Sequence, residues 1–356
     1  MGDIFVHLNA FTAIQVVILG FIGGVLSGFI GSGGAFFMTP GMMNLGVQGV
    51  IAVGCNITHK FGKALVGSRK HGELGHVDKK LGIFMLITAL IGIRIAVMIS
   101  TSLFGISDTH GEQGAAANLY ISVVFVVILT GVAISVLADA LRSRSKSSAG
   151  PSRKITDFLS RLRLFPMIYF PVADVKVSLW PLLIVGLLTG YLAGTIGVGG
   201  FVGVPAMIYV FGIPTAVAAG TELFMAMFMG AFGAINYAME GFVDIRLVVL
   251  LYLGSLLGIF IGTYGTKVVN EVIIRLVTGI IILLCVISRA IAIPIYLSQL
   301  QIVEIAQPSS FPALNLISKY FLYISGISGV LVILYNVVRA YIKRRKVYAT
   351  IIARTE

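Results

Sequence analysis

Gly20–Gly34 reads GFIGGVLSGFIGSGG, and Gly186–Gly200 reads GLLTGYLAGTIGVGG. At a constant offset of 166, eight of these fifteen positions are identical, and six of the eight are glycine. The register continues through Gly46/Gly212, Ala52/Ala218, Gly54/Gly220, Gly67/Gly233, Gly75/Gly241, Val77/Val243 and Asp78/Asp244. Pro40 and Pro205 join it after a one-residue slip. Biased composition gives scattered matches, but not one register held for nearly sixty residues. The chain is therefore read as an internal duplication.

The surroundings of these segments set the solvent. Of 356 residues, 58% are hydrophobic and only 11% are charged, with a mean hydropathy of +1.01. A soluble domain carries about 25% charged residues. Too little polar surface remains to cover a water-soluble fold, so an integral membrane protein follows. Apolar stretches run at about 11–30, 34–46, 48–68, 80–104, 116–141, 179–196, 200–211, 214–239, 244–268, 271–292 and 315–342. Two of them, 34–46 and 200–211, are too short to span comfortably and each follows a glycine cluster. They are expected to be re-entrant segments or halves of broken helices. The only cysteines, Cys55 and Cys285, lie in apolar runs, which excludes a disulfide scaffold and a thiolate-rich zinc site.

The fold class expected is an all-α polytopic membrane protein with two homologous repeats. Residues 1–141 form the first repeat, 142–178 a basic cytoplasmic linker and 179–292 the second repeat. Residues 293–356 supply an external loop, an extra C-terminal span and a basic tail. The net charge of +12 is concentrated beside spans, in the linker (Arg142 to Arg163) and the tail (Arg339 to Arg354). Lys and Arg in that position mark cytoplasmic loops and contact with anionic lipid, not a nucleic-acid partner. Segments 105–115 and 293–314 contain no Lys or Arg and are expected outside. Counting crossings from these anchors puts Asp78 inside and Asp244 outside. Matched positions on opposite sides mean inverted repeats, a transporter architecture with its site near the midplane. The N-terminus has no basic n-region and no small-residue cleavage pattern, so no cleaved signal peptide is expected. The location expected is the cytoplasmic (inner) membrane, multi-pass, with a cytoplasmic C-terminus.

Gly20, Gly24 and Gly28, like Gly186, Gly190 and Gly194, recur every fourth residue and read as close helix packing. The clusters that follow are different. Gly31, Ser32, Gly33 and Gly34, and then Gly197, Gly199 and Gly200, break a helix where backbone groups cannot go unpaired. Such a break is tolerated beside a polar cavity, and the restarted helix points free N–H groups there, which suits an anion. A nucleotide-binding loop is rejected, because no strand precedes either cluster.

These elements carry a resemblance. A doubled GxGG after a small-residue helix, with Pro40 or Pro205 behind it and a later GHVD (Gly75–Asp78) or GFVD (Gly241–Asp244), resembles the sulfite exporter TauE/SafE family of membrane permeases. The likeness covers about residues 12–290. It implies movement of small sulfur-containing or related organic anions across the cytoplasmic membrane, by export or uptake. The terminal span and the long basic linker depart from the pattern.

Side chains inside the spans are the remaining candidates. In GCNITHKFGKALVGSRKHG (Gly54–Gly72), Asn56, His59, Lys60 and Lys63 fall at helical spacings of three and four. Together with Thr58 they offer donors for an oxyanion, although Lys60 and Lys63 would also suit interfacial snorkelling. The matched positions to Cys55 and Asn56 are Thr221 and Glu222. Glu222 reads as a proton carrier, the partner of a buried cation, or a structural hydrogen-bonding group. Arg94 is a lone cation within an apolar span; it would attract the anion, pair with an acid such as Glu222, or snorkel. No cofactor or metal is implied. A secondary transporter for sulfite or an organosulfonate leads, driven by a proton or other ion gradient or by the substrate's own. A channel-like anion pore is the alternative, and a membrane-embedded enzyme a distant third. Oligomerisation is left open.

Overall fold

A computed structural model describes residues 8–30, 34–105, 114–145, 165–303 and 311–355. Gly31, Ser32 and Gly33 lie outside the described residues, as do 106–113, 146–164 and 304–310 of the connecting segments. Of the described residues 84% are helical, in eleven α-helices. The first half contains α1 (Ala10–Ile30), the short α2 (Ala35–Asn44), α3 (Gly49–Glu73), α4 (Lys79–Gly105) and α5 (Ala115–Ser145). The second contains α6 (Leu179–Ile196), the short α7 (Gly200–Pro205), α8 (Thr215–Met239), α9 (Ile245–Val268) and α10 (Glu271–Gln299). A last helix, α11 (Phe311–Thr355), completes the chain.

Local chemistry sets the breaks. Gly197 ends α6 in the left-handed region, φ +76°, with its N–H donating to Ala193 O. Pro205 has no N–H, and the chain continues past it as one π-helical turn, Ala206–Val210. Gly75 and Gly241 hold φ of +70° and +81° in turns at matched positions before α4 and α9. The two short apolar segments expected from the glycine clusters are thus the short helices α2 and α7 with its π turn.

Eight of these helices are long and apolar enough to cross a membrane; α2, α3 and α7 are not among them. For α3 the limit is polarity, since its 25 residues at about 1.5 Å each are long enough. Exposed Ile83, Ile87, Ile91 and Ile95 make a continuous apolar stripe on α4, suited to lipid rather than water.

The halves pack by exchange. α1 lies along α9 and α4 along α6, while α3 crosses α8 and α5 packs on α10. Gly20, Gly24 and Gly28 rest on the backbone of Leu251, Ser255 and Ile259. Gly186, Gly190 and Gly194 rest on Met85, Ala89 and Ile93, the same contacts displaced by 166. A Cβ on any of these glycines would overlap the facing helix, so their absence sets the close approach. The short helices meet through Phe36 and Phe201, whose rings stand edge to face at 5.0 Å. α11 has no counterpart and leans on α10, α9, α1 and α2.

The segment expected as a linker carries folded structure at its end. Strands β1 (Met167–Phe170) and β2 (Val175–Ser178) pair antiparallel, Met167 opposite Ser178. The hairpin is seated on the helices: Val172 N and Ala173 N each donate to Asp78 Oδ2 at 3.1 Å, and Lys80 Nζ donates to Tyr169 O at 2.9 Å.

Candidate functional site

The polar interior forms where α3 crosses α8, with α2, α6, α7 and α9 closing around it. Asn56, wholly buried on α3, donates both amide hydrogens, to Ala35 O at 2.9 Å and Thr39 Oγ1 at 2.8 Å. Thr39 in turn donates to Ile196 O at 3.1 Å. Asn56 and Thr39 together thereby tie α3 and α2 to the end of α6. Gly197 leaves room for it, since a Cβ there would stand 2.6 Å from Asn56 Nδ2. Asn56 Oδ1 is buried and has no partner.

Glu222 occupies the matched position on α8 and is 3% exposed. Its Oε1 pairs with Lys60 Nζ at 3.3 Å, whereas its Oε2 has no partner. Gly200 and Gly203 form the wall against it. A Cβ on Gly200 would stand 2.7 Å from Oε1, and one on Gly203 3.4 Å from Oε2. The same Gly203 Cβ would lie 3.3 Å from Thr189 Oγ1, a second buried group without a partner. A carboxylate oxygen and a hydroxyl therefore converge on the space that glycine leaves.

His59, one turn from Asn56, is wholly buried. Its Nε2 is 2.7 Å from Ser255 Oγ, its ring leans on Tyr252 at 4.6 Å, and its Nδ1 has no partner. Tyr252 locks this turn of α3 by accepting from Gly62 N at 3.0 Å and donating to Thr58 O at 3.1 Å. The Thr58 hydroxyl is turned back to Gly54 O at 2.7 Å. Half-buried Lys63 has no hydrogen-bond or ion-pair partner among the described residues and lies within electrostatic reach of His59 and Lys60. Buried Thr221 accepts from the Asp78 amide at 3.0 Å.

The structure thus gathers Asn56, His59, Lys60, Lys63 and Glu222 around one crossing, with Gly197, Gly199 and Gly200 at its edge. Arg94 is not part of it. Its Nη1 donates to Asn236 Oδ1 at 2.9 Å and lies 3.8 Å from Glu240, with the side chain 48% exposed. The acid that the sequence offered to Arg94, Glu222, is held by Lys60. Thr39, Thr189, Tyr252 and Ser255 were not legible beforehand, because a hydroxyl in an apolar helix usually bonds its own backbone.

A further buried cation lies away from this cluster. Arg289 on α10 is 1% exposed and binds Asn44 Oδ1 and, at 3.4 Å, Ser318 Oγ. It ties the end of α2 to α11, which gives the additional helix a structural attachment to the short one.

The sulfite exporter TauE/SafE family model matches residues 16–289, from within α1 to Arg289. The chain belongs to the sulfite exporter TauE/SafE family. Similar curated proteins are three probable membrane transporters of Bacillus subtilis (strain 168). YjnA is 26% identical over 71% of this chain and 89% of its own length. YdhB is 21% identical over 73% and 93%, and YunE 24% over 76% and 94%. No solved structure matches. With eight candidate spans among its described residues, this TauE/SafE member is a multi-pass membrane transporter. The family match stops short of α11, so the extra span lies outside the shared fold.

Proposed function

We propose that this transporter moves a small anion, sulfite or an organosulfonate, across the cytoplasmic membrane as a secondary carrier. The observation that carries the reading is the charge of the α3–α8 crossing. Lys60 is paired with Glu222, and Lys63 beyond it has no counter-ion among the described residues, leaving one half-buried positive charge in excess. An uncompensated charge in such surroundings is costly, and an anion offsets it. His59 and the backbone N–H groups at the starts of α2 and α7 would add donors for the anion. Asn56, Thr58 and Thr221 frame the site: the Asn56 amide and the Thr58 hydroxyl donate within the protein, and Thr221 Oγ1 accepts from the Asp78 amide.

Exchange of contacts between the halves supports a two-fold relation centred on Phe36 and Phe201. An odd number of crossings and short returns in each half would place that axis in the membrane plane, with the basic linker and tail both cytoplasmic. His59 and Glu222 engage different partners, Ser255 and Lys60, rather than each other, which favours carriage over catalysis. Counterflow in proteoliposomes tests the reading. Vesicles preloaded with sulfite, thiosulfate or sulfoacetate should transiently concentrate the labelled form of the same anion, and the zwitterion taurine is compared with them. A pore equilibrates label without overshoot, and no movement of any of these anions rejects this substrate class.

A further inference from the structure

We propose that Lys60 is shared between Glu222 and the transported anion, so that anion binding places a proton on Glu222 Oε2 and couples anion to proton movement in the same direction. This rests on the anion reading above. Lys60 Nζ is 3.3 Å from Glu222 Oε1 and supplies the only charged contact to that carboxylate among the described residues. When an anion draws the ammonium away, Glu222 is left as a lone charge at 3% exposure. Such a charge is far more costly than the neutral acid, so the carboxylate takes up a proton.

The surroundings of Oε2 fit that role. It has no partner in the ion-paired state, and it shares the Gly203 recess with Thr189 Oγ1, which also has none. A proton added at Oε2 finds in Thr189 an acceptor within the same space. Among the described residues the other elements bring no charge into contact with the carboxylate. α7 presents Gly200 and Gly203, and α6 presents Thr189. α4 meets α8 here through Gly82, the Asp78 carboxylate turns to the hairpin, and Arg94 binds near the far end of α8. Among the described residues the titratable groups nearest the carboxylate are on α3: Lys60, with Lys63 and His59 beyond it, while His71 and the turn residue His76 meet α8 at Gly220.

The charges balance. The resting site holds the Lys60–Glu222 pair; the loaded site holds Lys60 with the anion and a neutral Glu222. For a monoanion both forms carry the same net charge, so the carrier cycles with one proton per anion and responds to a pH gradient rather than to voltage. Releasing the anion returns Lys60 to Glu222 and expels the proton.

The test uses the full chain purified in detergent and isethionate or methanesulfonate, monoanions that do not themselves titrate near neutral pH. Adding either to wild type in weak buffer should remove about one proton from solution per anion bound, and affinity should fall about tenfold per pH unit on the alkaline side. Glu222→Gln copies the protonated acid, so it should bind the anion with no proton uptake and no pH dependence. Because that variant leaves Lys60 without its partner, Lys60→Gln/Glu222→Gln serves as a second, buryable pair; it should take up no proton and bind at least tenfold more weakly. Anion binding by wild type without proton uptake overturns the coupling and leaves the anion site standing. Proton uptake that persists in Glu222→Gln overturns it equally. Failure of wild type to bind either sulfonate, sulfite or thiosulfate removes the anion reading and the coupling with it.

Discussion

Asp78 and Thr221 are joined across the two halves by a 3.0 Å hydrogen bond from backbone amide to hydroxyl. Moved by 166 positions and exchanged between halves, the same bond reappears from the Asp244 amide to Cys55 Sγ at 3.3 Å. Each half thus fixes the start of the other half's helix, α4 on Thr221 and α9 on Cys55. Gly220 and Gly54 press against the carbonyls of His76 and Phe242, another exchanged pair. The joints are backbone contacts, which lets the side chains differ while the geometry repeats.

Thr221→Val should therefore strand a buried amide and destabilise the protein by about 1–3 kcal/mol, whereas Thr221→Ser should be nearly neutral. Cys55→Ala should act in the same direction but less, because sulfur is the weaker acceptor. Thermal unfolding in detergent measures all three. Equal stability of the Val and Ser variants would remove this bond from the account.

The glycine stripe makes a second expectation. Gly190→Ala puts a methyl into the Ala89 backbone, and Gly24→Ala does the same at Ser255. Either should sharply lower the yield of monodisperse protein. Gly131 on α5 has nothing within 4 Å of its missing Cβ, so Gly131→Ala should be tolerated and gain up to about 1 kcal/mol of helix propensity. Size-exclusion profiles of the three variants decide it; similar profiles would mean that the stripe is not a close-contact seam.

Much of this was legible in one dimension. Glycine and proline placed the short helices, because both act on the backbone and leave a mark without needing a partner. The pairing of charges was not legible. Lys60, Arg94 and Glu222 all stand out as ions in apolar helices, but which two meet depends on helix rotation and crossing. Arg94 faces the end of α8 near Asn236 and Glu240, and Lys60 reaches Glu222. Thr189 and Ser255 carried no signal, since their importance lies in what crosses to them. The hairpin at 167–178 was hidden by its neighbours, where a basic, serine-rich run reads as linker.

Orientation gives a third expectation. Reporter fusions after Ser145 and at the C-terminus should both register the cytoplasm, and a fusion at Gly111 the outside. Labelling of the 146–164 segment from outside intact cells would reverse the orientation and undo the inverted-repeat argument.

Asp78 and Asp244 occupy matched turns but hold different partners, and the difference is measurable. Asp78 is 1% exposed; its Oδ1 accepts from Leu81 N at 3.0 Å, capping α4, and its Oδ2 accepts from Val172 N and Ala173 N. Asp244 spends both oxygens on Arg246, at 2.8 to 3.0 Å, and touches no hairpin. Asp78→Ala therefore removes a helix cap and the two charge-assisted bonds that seat the hairpin, each worth about 1–3 kcal/mol. Asp244→Ala removes a cap and a half-exposed ion pair, about 1 kcal/mol in all. Limited proteolysis should cut Asp78→Ala within 165–178 at low protease, while Asp244→Ala stays as resistant as wild type there. Equal resistance of the two variants would mean that the hairpin is held by its apolar contacts, among them Phe170 against Phe84, and that the Asp78 carboxylate serves α4 alone.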